Sequence, residues 1–391
     1  MIRQIFPKAK WELVSLNILM KGLADMHYRT AQCVDNEETL LASTSVSAIV
    51  VTYRQEKDLR HCLGSLDGLP ALSEIIVVNN EPGDGTREWV AQEFPRVRII
   101  EDAPDDGYAG GINRGARQAK GSYLWILNPD TYIDRNALDA FLQAAATRPR
   151  ALFTPKVLLP DGRINACGNT MHYTGITTCT GFGEPASAFN GMIPVSLLSG
   201  ACIFVSRKIW EDLGGFNESF FLYMDDAELS LRARLKGYEL WCVADAVIEH
   251  AYQLKLSSEK FYYLERNRLI TILTVYRAAT LFGLFPGLLL MEMATWAFAL
   301  TKGPGFVRSQ FRKYWWLWKQ RHNILHRHQT LQESRIRMDA ELLADMKYTV
   351  PYGQLVKHSG MSSLLTQLTT WIFFVVSPRI ARKSWKREST Q

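Results

Sequence analysis

Tyr123-Leu124-Trp125-Ile126-Leu127-Asn128-Pro129-Asp130 is an apolar run that stops abruptly. Aromatic and branched residues closed by Asn-Pro predict a buried strand followed at once by a turn. Pro129 donates nothing to a ladder and biases Asn128 towards extended backbone. Asp130 then falls just past the carboxyl end of a strand, the edge where open α/β sheets bind ligands. A carboxylate there can hold a divalent cation against a diphosphate. It can equally be a turn aspartate bonding its own backbone. The triplet alone leaves both readings open.

Upstream, Val46–Thr52 and Glu74–Val78 have few polar positions, as expected of strands covered on both faces. Between them, Leu59, Leu63 and Leu66 keep helical spacing over residues 56–67. Asn79–Thr86 is built from turn formers, with Thr86 as an expected N-cap. A helix to about Phe94 and a strand at Val97–Ile100 follow. This short alternation predicts βαβ units and a right-handed parallel sheet. Asp105–Gly115 is glycine-rich but lacks the G-x-G-x-x-G spacing of a dinucleotide fingerprint, and it follows the third strand rather than the first. Its glycines allow close backbone approach and start a helix to Lys120, whose first amides either face phosphate or have no ligand.

Downstream, a helix is expected near Asp134–Ala146, a short strand at Leu152-Phe153 and a hairpin at Pro160-Asp161-Gly162. Residues 168–192 read as a long binding loop or lid. Leu197–Val205 is strand-like, and Arg207–Leu213 is a short helix stopped by Gly214-Gly215. The run Phe216–Met224 leads into Asp225, Asp226 and Glu228, where a helix should begin with Leu229, Leu231 and Leu235 inward. Acids in a first turn complement the helix dipole; one beside a cleft is also a candidate base. Tyr238–Val243 reads as a strand, with His250 after it.

The sequence has 391 residues, 47% hydrophobic and 21% charged, which suits a sizeable core. Its net charge of +6 is uneven: from Lys302 onward there are 16 Lys or Arg against 5 Asp or Glu, among many Trp and Tyr. That pattern suits an anionic surface. None of the six cysteines (33, 62, 167, 179, 202 and 242) forms a C-x-x-C pair, so reduced thiols in the cytosol are expected. Residues 1–20 lack the pattern of a secretory signal, and Trp11–Met20 suits an amphipathic helix. Residues 259–277 read as an amphipathic helix. Ala278–Leu300 is almost wholly apolar and long enough to cross a bilayer, though Pro286-Gly287 and Glu292 also suit a helix or re-entrant pair lying in one leaflet. Lys313–Lys319 resembles an interfacial anchor; a basic helix near 319–347 and an apolar Trp371–Val376 patch follow.

The ordered set Ile49–Tyr53, Val77–Asn80 with Asp84-Gly85-Thr86, Gly107–Gly115, Leu127–Asp130, Ser199-Gly200-Ala201, Gly214-Gly215-Phe216, Phe220–Glu228 and Tyr263–Arg268 resembles the family 2 glycosyltransferases, in their bacterial rhamnosyltransferase-like branch. The resemblance covers roughly residues 46–280. It implies a GT-A fold, a Rossmann-like and mostly parallel α/β sheet flanked by helices, and inverting sugar transfer from a nucleotide-sugar. Asp130 matches the last acid of a D-x-D-type metal motif, with Asn128 in place of its first acid. Asp226 matches the catalytic base, Asp225 precedes it, and His250 matches a histidine completing the metal site. Thr52, Tyr53, Asn79, Asn80, Asp84, Gly110, Asn113, Asn128 and Gly200 fall where the nucleotide-sugar is held. Asn79 departs from the family pattern, in which an aspartate is common.

Three regions are thus expected: an N-terminal extension (1–44), a glycosyltransferase domain (45–277) and a hydrophobic, basic helical region (278–391). Expected partners are a dTDP-rhamnose or UDP-sugar donor, a divalent cation (Mg²⁺ or Mn²⁺), a glycan or polyprenyl-linked acceptor and membrane lipid at the cytoplasmic face. Nucleic acid is not expected, since no recognition motif accompanies the basic tail. The Asn79 and Asn128 replacements motivate one alternative, a non-catalytic nucleotide-sugar binder or scaffold.

Overall fold

A computed structural model describes residues 44–101, 105–250 and 256–348, with Gln367, Thr370, Trp371 and Val375 beyond them. The helix expected at Trp11–Met20, Cys33 and most of the Trp371–Val376 patch lie outside the described residues.

Four strands, β1 (Val46–Thr52), β2 (Glu74–Asn79), β3 (Val97–Ile100) and β4 (Tyr123–Leu127), form a parallel half-sheet in the order β4-β1-β2-β3. Their apolar side chains are covered on both faces. One layer holds α1 (Glu56–Asp67) and α4 (Ala137–Thr147), with Leu59, Leu63 and Phe141 packed on Val50, Val77 and Trp125. The other holds α3 (Gly107–Gln118), α5 (Arg207–Leu213) and α6 (Asp225–Leu235), with Ile112, Trp210 and Leu229 on Ile49 and Ile126. Helix α2 (Thr86–Glu93) completes the βα alternation.

The other half of the sheet corrects the expectation of a parallel one. β11 (Cys202–Ser206) runs antiparallel to both β4 and β6 (Ala151–Leu158). β12 (Glu239–His250) is parallel to β6 and antiparallel to the edge strands β5 (Thr131–Ile133) and β10 (Met192–Pro194). β7 (Ile164–Cys167) returns antiparallel on β6 through the expected Asp161-Gly162 turn. Residues 168–192 are not a structureless lid: β8 (Asn169–Met171) and β9 (Thr177–Cys179) pair as a hairpin. His250 does not follow a strand but ends one, opposite Thr131.

Among the described residues, five further helices differ little from expectation in kind but more in extent. α7 (Ser258–Val275) is followed by α8 (Ala278–Lys302), α9 (Pro304–Lys319), α10 (Arg321–Ser334) and α11 (Asp339–Ala344). The basic stretch is therefore two helices, split at residues 335–338. α8 is one unbroken 25-residue helix that passes through Pro286. Its buried stripe is Leu284, Gly287, Met291, Thr295 and Ala299. Glu292 also turns into the protein, where it meets Arg268 of α7 and, at 2.9 Å, Lys313 of α9. A third apolar cluster joins these helices to the sheet domain, with Leu231 and Leu235 packed among Ile270, Leu284, Leu331 and Leu342.

Candidate active site

The parallel register puts Thr52 beside Asn79 and ends β4 one residue before Asn128. Because β11 runs the other way, its entry turn, Ser199-Gly200-Ala201, reaches the same edge; the Asn128 amide donates to the Ala201 carbonyl at 3.0 Å. The β5–β12 pairing brings His250 there as well. Its Nε2 lies 3.1 Å from Asp130 Oδ1.

Asp226 arrives from behind the sheet. Its Oδ2 accepts the Gly200 amide at 2.8 Å, and its Oδ1 accepts the Ala227 amide at 2.7 Å. Asn169 adds a side-chain hydrogen bond. A Cβ on Gly200 would sit 3.0 Å from Asp226 Oδ2, so a side chain there presses on this carboxylate. Burial raises the Asp226 pKa against these donors. Asp225, buried beside it, is pushed up to about 7 by burial and by the Asp226 charge; its Oδ2 has no hydrogen-bond partner among the described residues. Glu228, the third acid of the turn, does not share this environment. Burial pushes it up, but Arg232 and Arg327 outweigh that and hold it down at about 2. It is an internal counter-ion.

The backbone leading to these acids is strained. Phe221, Tyr223 and Met224 all have left-handed φ, from 64° to 67°. Each such non-glycine residue costs about 1–3 kcal/mol and needs support from its surroundings. Asn267, fully buried in α7, gives it: its Nδ2 faces the carbonyls of Phe220, Leu222 and Tyr223 at 2.8–3.0 Å. Arg266 donates to the carbonyls of Ser219 and Phe220, both at 2.7 Å. From the other side, the Tyr108 amide donates to the Phe221 carbonyl at 2.7 Å.

That last bond bears on the glycine-rich helix start. The Gly107 amide is taken by Asp105 Oδ1, and those of Tyr108 and Ala109 by Phe221, so these three face protein acceptors. The glycines serve close packing. A Cβ on Gly107 would strike the Phe221 carbonyl, one on Gly110 the Asp106 side chain, and one on Gly115 would lie 2.6 Å from Ile49. Asn113 is likewise engaged, exchanging hydrogen bonds of 2.9 Å with the Phe216 backbone.

In the β2 loop, Asn79 Nδ2 faces Asp84 Oδ1 at 3.0 Å and Glu101 Oε1 at 2.6 Å. An aspartate here would meet two carboxylates, so the departure from the family pattern suits this loop. Asp84 also accepts the Thr86 amide, at 3.0 Å, while Gly85 with φ +87° takes the N-cap position expected of Thr86. Asn80 is buried, donates to the Gly107 carbonyl at 2.9 Å, and leaves its Oδ1 without a partner among the described residues. Thr52 is buried and Tyr53 exposed at the same edge.

Sequence reasoning missed Tyr108. Its hydroxyl donates to the Gly200 carbonyl at 3.4 Å, and burial together with the charges of Asp225, Asp226 and Asp130 raises its pKa well above the ordinary value. One aromatic in the first turn of a glycine-rich helix was its only sequence signal. Asn169 gave none and Asn267 only its place in the Tyr263–Arg268 run, because their roles depend on contacts formed across the fold.

One edge of the α/β sheet thus presents a carboxylate–imidazole pair on one side and acids at a helix start on the other. The glycosyl transferase family 2 profile matches residues 47–214, the stretch that holds β1 to β11 and α5. The chain is 25% identical to the low-salt glycan biosynthesis hexosyltransferase Agl10 of Haloferax volcanii, over 61% of this chain and 78% of that protein. It is 27% identical to the N-acetylglucosaminyl-diphospho-decaprenol L-rhamnosyltransferase of Mycobacterium tuberculosis, over 52% and 74%. In fold it is similar to residues 1–349 of S. aureus TarS, with TM-score 0.50 and 17% identity over 89% of this chain and 92% of that one.

Proposed function

We propose that the protein transfers a sugar, with inversion, from a nucleoside-diphosphate sugar to a glycan or lipid-linked acceptor, with Asp226 as general base. The carrying observation is the Asp226 carboxylate, oriented by the Gly200 and Ala227 amides at the edge that also presents Asp130 and His250. The acceptor hydroxyl oxygen attacks the anomeric carbon and its proton passes to Asp226. The bond from that carbon to the diphosphate oxygen breaks, and the nucleoside diphosphate leaves with the electron pair. Asp225, with its raised pKa, limits the charge beside the base. Thr52, Asn80 and Asp84 line the nucleoside side, and the unpartnered Asn80 Oδ1 is suited to a donor group of the ligand.

The Asp130–His250 pair fits a divalent cation: carboxylate oxygen and imidazole nitrogen face each other at 3.1 Å, and Asp130 is partly open. Two protein ligands suffice where phosphate oxygens and water supply the others. Held there by Asp130 and His250, Mg²⁺ or Mn²⁺ would supply positive charge to offset that growing on the leaving diphosphate.

The name of the mycobacterial relative supports a rhamnosyl donor and a polyprenyl-linked acceptor, and that of the haloarchaeal one a hexosyl donor; dTDP-rhamnose and UDP-sugars are the donors to try first. The test is a panel of nucleoside-diphosphate sugars with Mg²⁺ or Mn²⁺, read as released nucleoside diphosphate. Metal-dependent release with one dTDP- or UDP-sugar is expected. Tight donor binding without turnover would favour a non-catalytic binder instead.

The same reading puts the protein on the cytoplasmic face of a membrane. α8 is long and apolar enough to cross one, yet its inward Glu292 favours lying in a single leaflet. Phe282, Phe285, Met293, Leu300, Phe311, Trp315 and Trp318 on α8 and α9 are exposed, and basic residues flank them. Flotation with anionic liposomes should be weakened but not abolished by salt, since only the charge contribution is screened. Protein that stays soluble at low salt would overturn this seating.

A further inference from the structure

A cavity of about 660 Å³ opens between the Glu218–Phe221 turn, α7 and α9. It includes neither Asp130 nor Asp226. Arg266 lines it, buried at 4% exposure and stacked on Trp316 with 4.4 Å to the ring centroid. Its hydrogen bonds go to the carbonyls of Ser219 and Phe220, the Asn267 side-chain oxygen and Tyr262; among the described residues it has no carboxylate partner. A buried guanidinium without a counter-ion is costly, and an incoming anion would offset that cost. Arg312 and the exposed Lys319 add positive charge at the rim. Arg312 is paired below with Glu259, at 2.6 Å. The acids at the mouth are compensated from outside: Asp106 pairs with Arg114 at 2.6 Å and Glu218 with Arg117 at 3.1 Å.

Two further features select among anions. The cavity joins the exposed apolar face of α9 through Trp315, which stacks on Trp318 with centroids 5.3 Å apart. It also meets the active site at Phe221, whose carbonyl anchors the Tyr108 helix start and whose ring stacks on Tyr263. A free phosphate needs no apolar path, and a plain glycan needs no buried cation.

We propose that this cavity binds the phosphate or diphosphate group of a polyprenyl-linked acceptor, with the chain leaving over Trp315 and Trp318 and the sugar end directed past Phe221. This rests on the glycosyl-transfer reading and adds an acceptor site to it.

The test uses the full-length protein in nanodiscs, with farnesyl diphosphate as probe and inorganic pyrophosphate and farnesol as controls. Farnesyl diphosphate should bind more tightly than either control. Saturating nucleoside diphosphate with Mn²⁺ should leave that binding in place. The rim double variant Arg312→Gln/Lys319→Gln should weaken it by at least about tenfold, with nucleotide affinity in the same sample as the folding control. Arg266 is left intact, because it also holds the Phe220 loop. An unchanged affinity in the double variant, or displacement by the nucleotide, would overturn the proposal. Pyrophosphate binding as tightly as farnesyl diphosphate would reduce the cavity to a free-phosphate site and overturn the lipid assignment. Failure of donor turnover in the panel above would sink the transferase reading while leaving these binding results standing.

Discussion

Asp225 and Glu228 occupy the first turn of one helix, both buried, and their carboxyl groups are driven in opposite directions. Glu228 has two guanidinium partners, and its pKa falls to about 2. Asp225 has another carboxylate for a neighbour and an oxygen with no donor among the described residues, and its pKa rises to about 7. Depth of burial is therefore a poor guide to which acid does chemistry. The nearest charge decides: a compensated acid holds the fold, whereas an uncompensated pair beside a cleft is poised to exchange protons.

The sharpest way to test that division is Asp226→Asn. Turnover should fall by about 10²–10⁴-fold with donor affinity nearly unchanged, as for loss of a positioned base. Steady-state kinetics beside nucleotide titration reads both, and near-full turnover would reduce Asp226 to a helix-start residue.

Glu228→Gln should behave in the opposite way. It strands Arg232 in the interior and should cost about 3–5 kcal/mol of stability at neutral pH, measured by chemical denaturation. Because the Glu228 pKa is depressed, its contribution is full above the ordinary carboxylate range and is lost as pH falls towards 2. The difference between variant and wild type should shrink over that window. A pH-independent difference would mean that packing, not charge, is lost.

Asp130→Ala should weaken metal-dependent nucleoside-diphosphate binding by roughly tenfold or more, and turnover with it. Titration of the nucleotide with and without Mn²⁺ is the measurement. Unchanged metal dependence would return Asp130 to the role of a turn residue.

The smallest effect is expected at Asp225. With its pKa raised to about 7, wild type carries the cost of ionising it above that pH and none below the ordinary carboxylate range. Asp225→Asn should therefore add stability at pH 8 and almost nothing at pH 4. An equal gain at both would remove the charge argument for this pair.

The strands that build the site were legible because β1, β2 and β4 are covered on both faces and stop at turn formers. Asp130 and Asp226 were visible as acids at element ends. The direction of β11 was not, since an apolar run reads alike in either sense and only its pairing with β4 and β6 sets it. Nor could spacing reveal Asn79: its amide makes sense only once Asp84 and Glu101 converge on it. Tyr108, Asn169 and Asn267 act through carbonyls and carboxylates distant in sequence, and periodicity carries no record of such contacts.

The inward carboxylate of α8 works as a rotational key. An apolar helix on an apolar bed has little to fix its angle about its own axis. Here Glu292 is held by Arg268, Lys313 and the Tyr314 hydroxyl, and Gly287 admits the Tyr173 ring where any Cβ would strike the hydroxyl. With the angle locked, Phe282, Phe285, Leu289 and Met293 must form one outward line. The line can then vary freely in sequence as long as the key stays cut, so a surface made of interchangeable hydrophobic residues is aimed by two that are not.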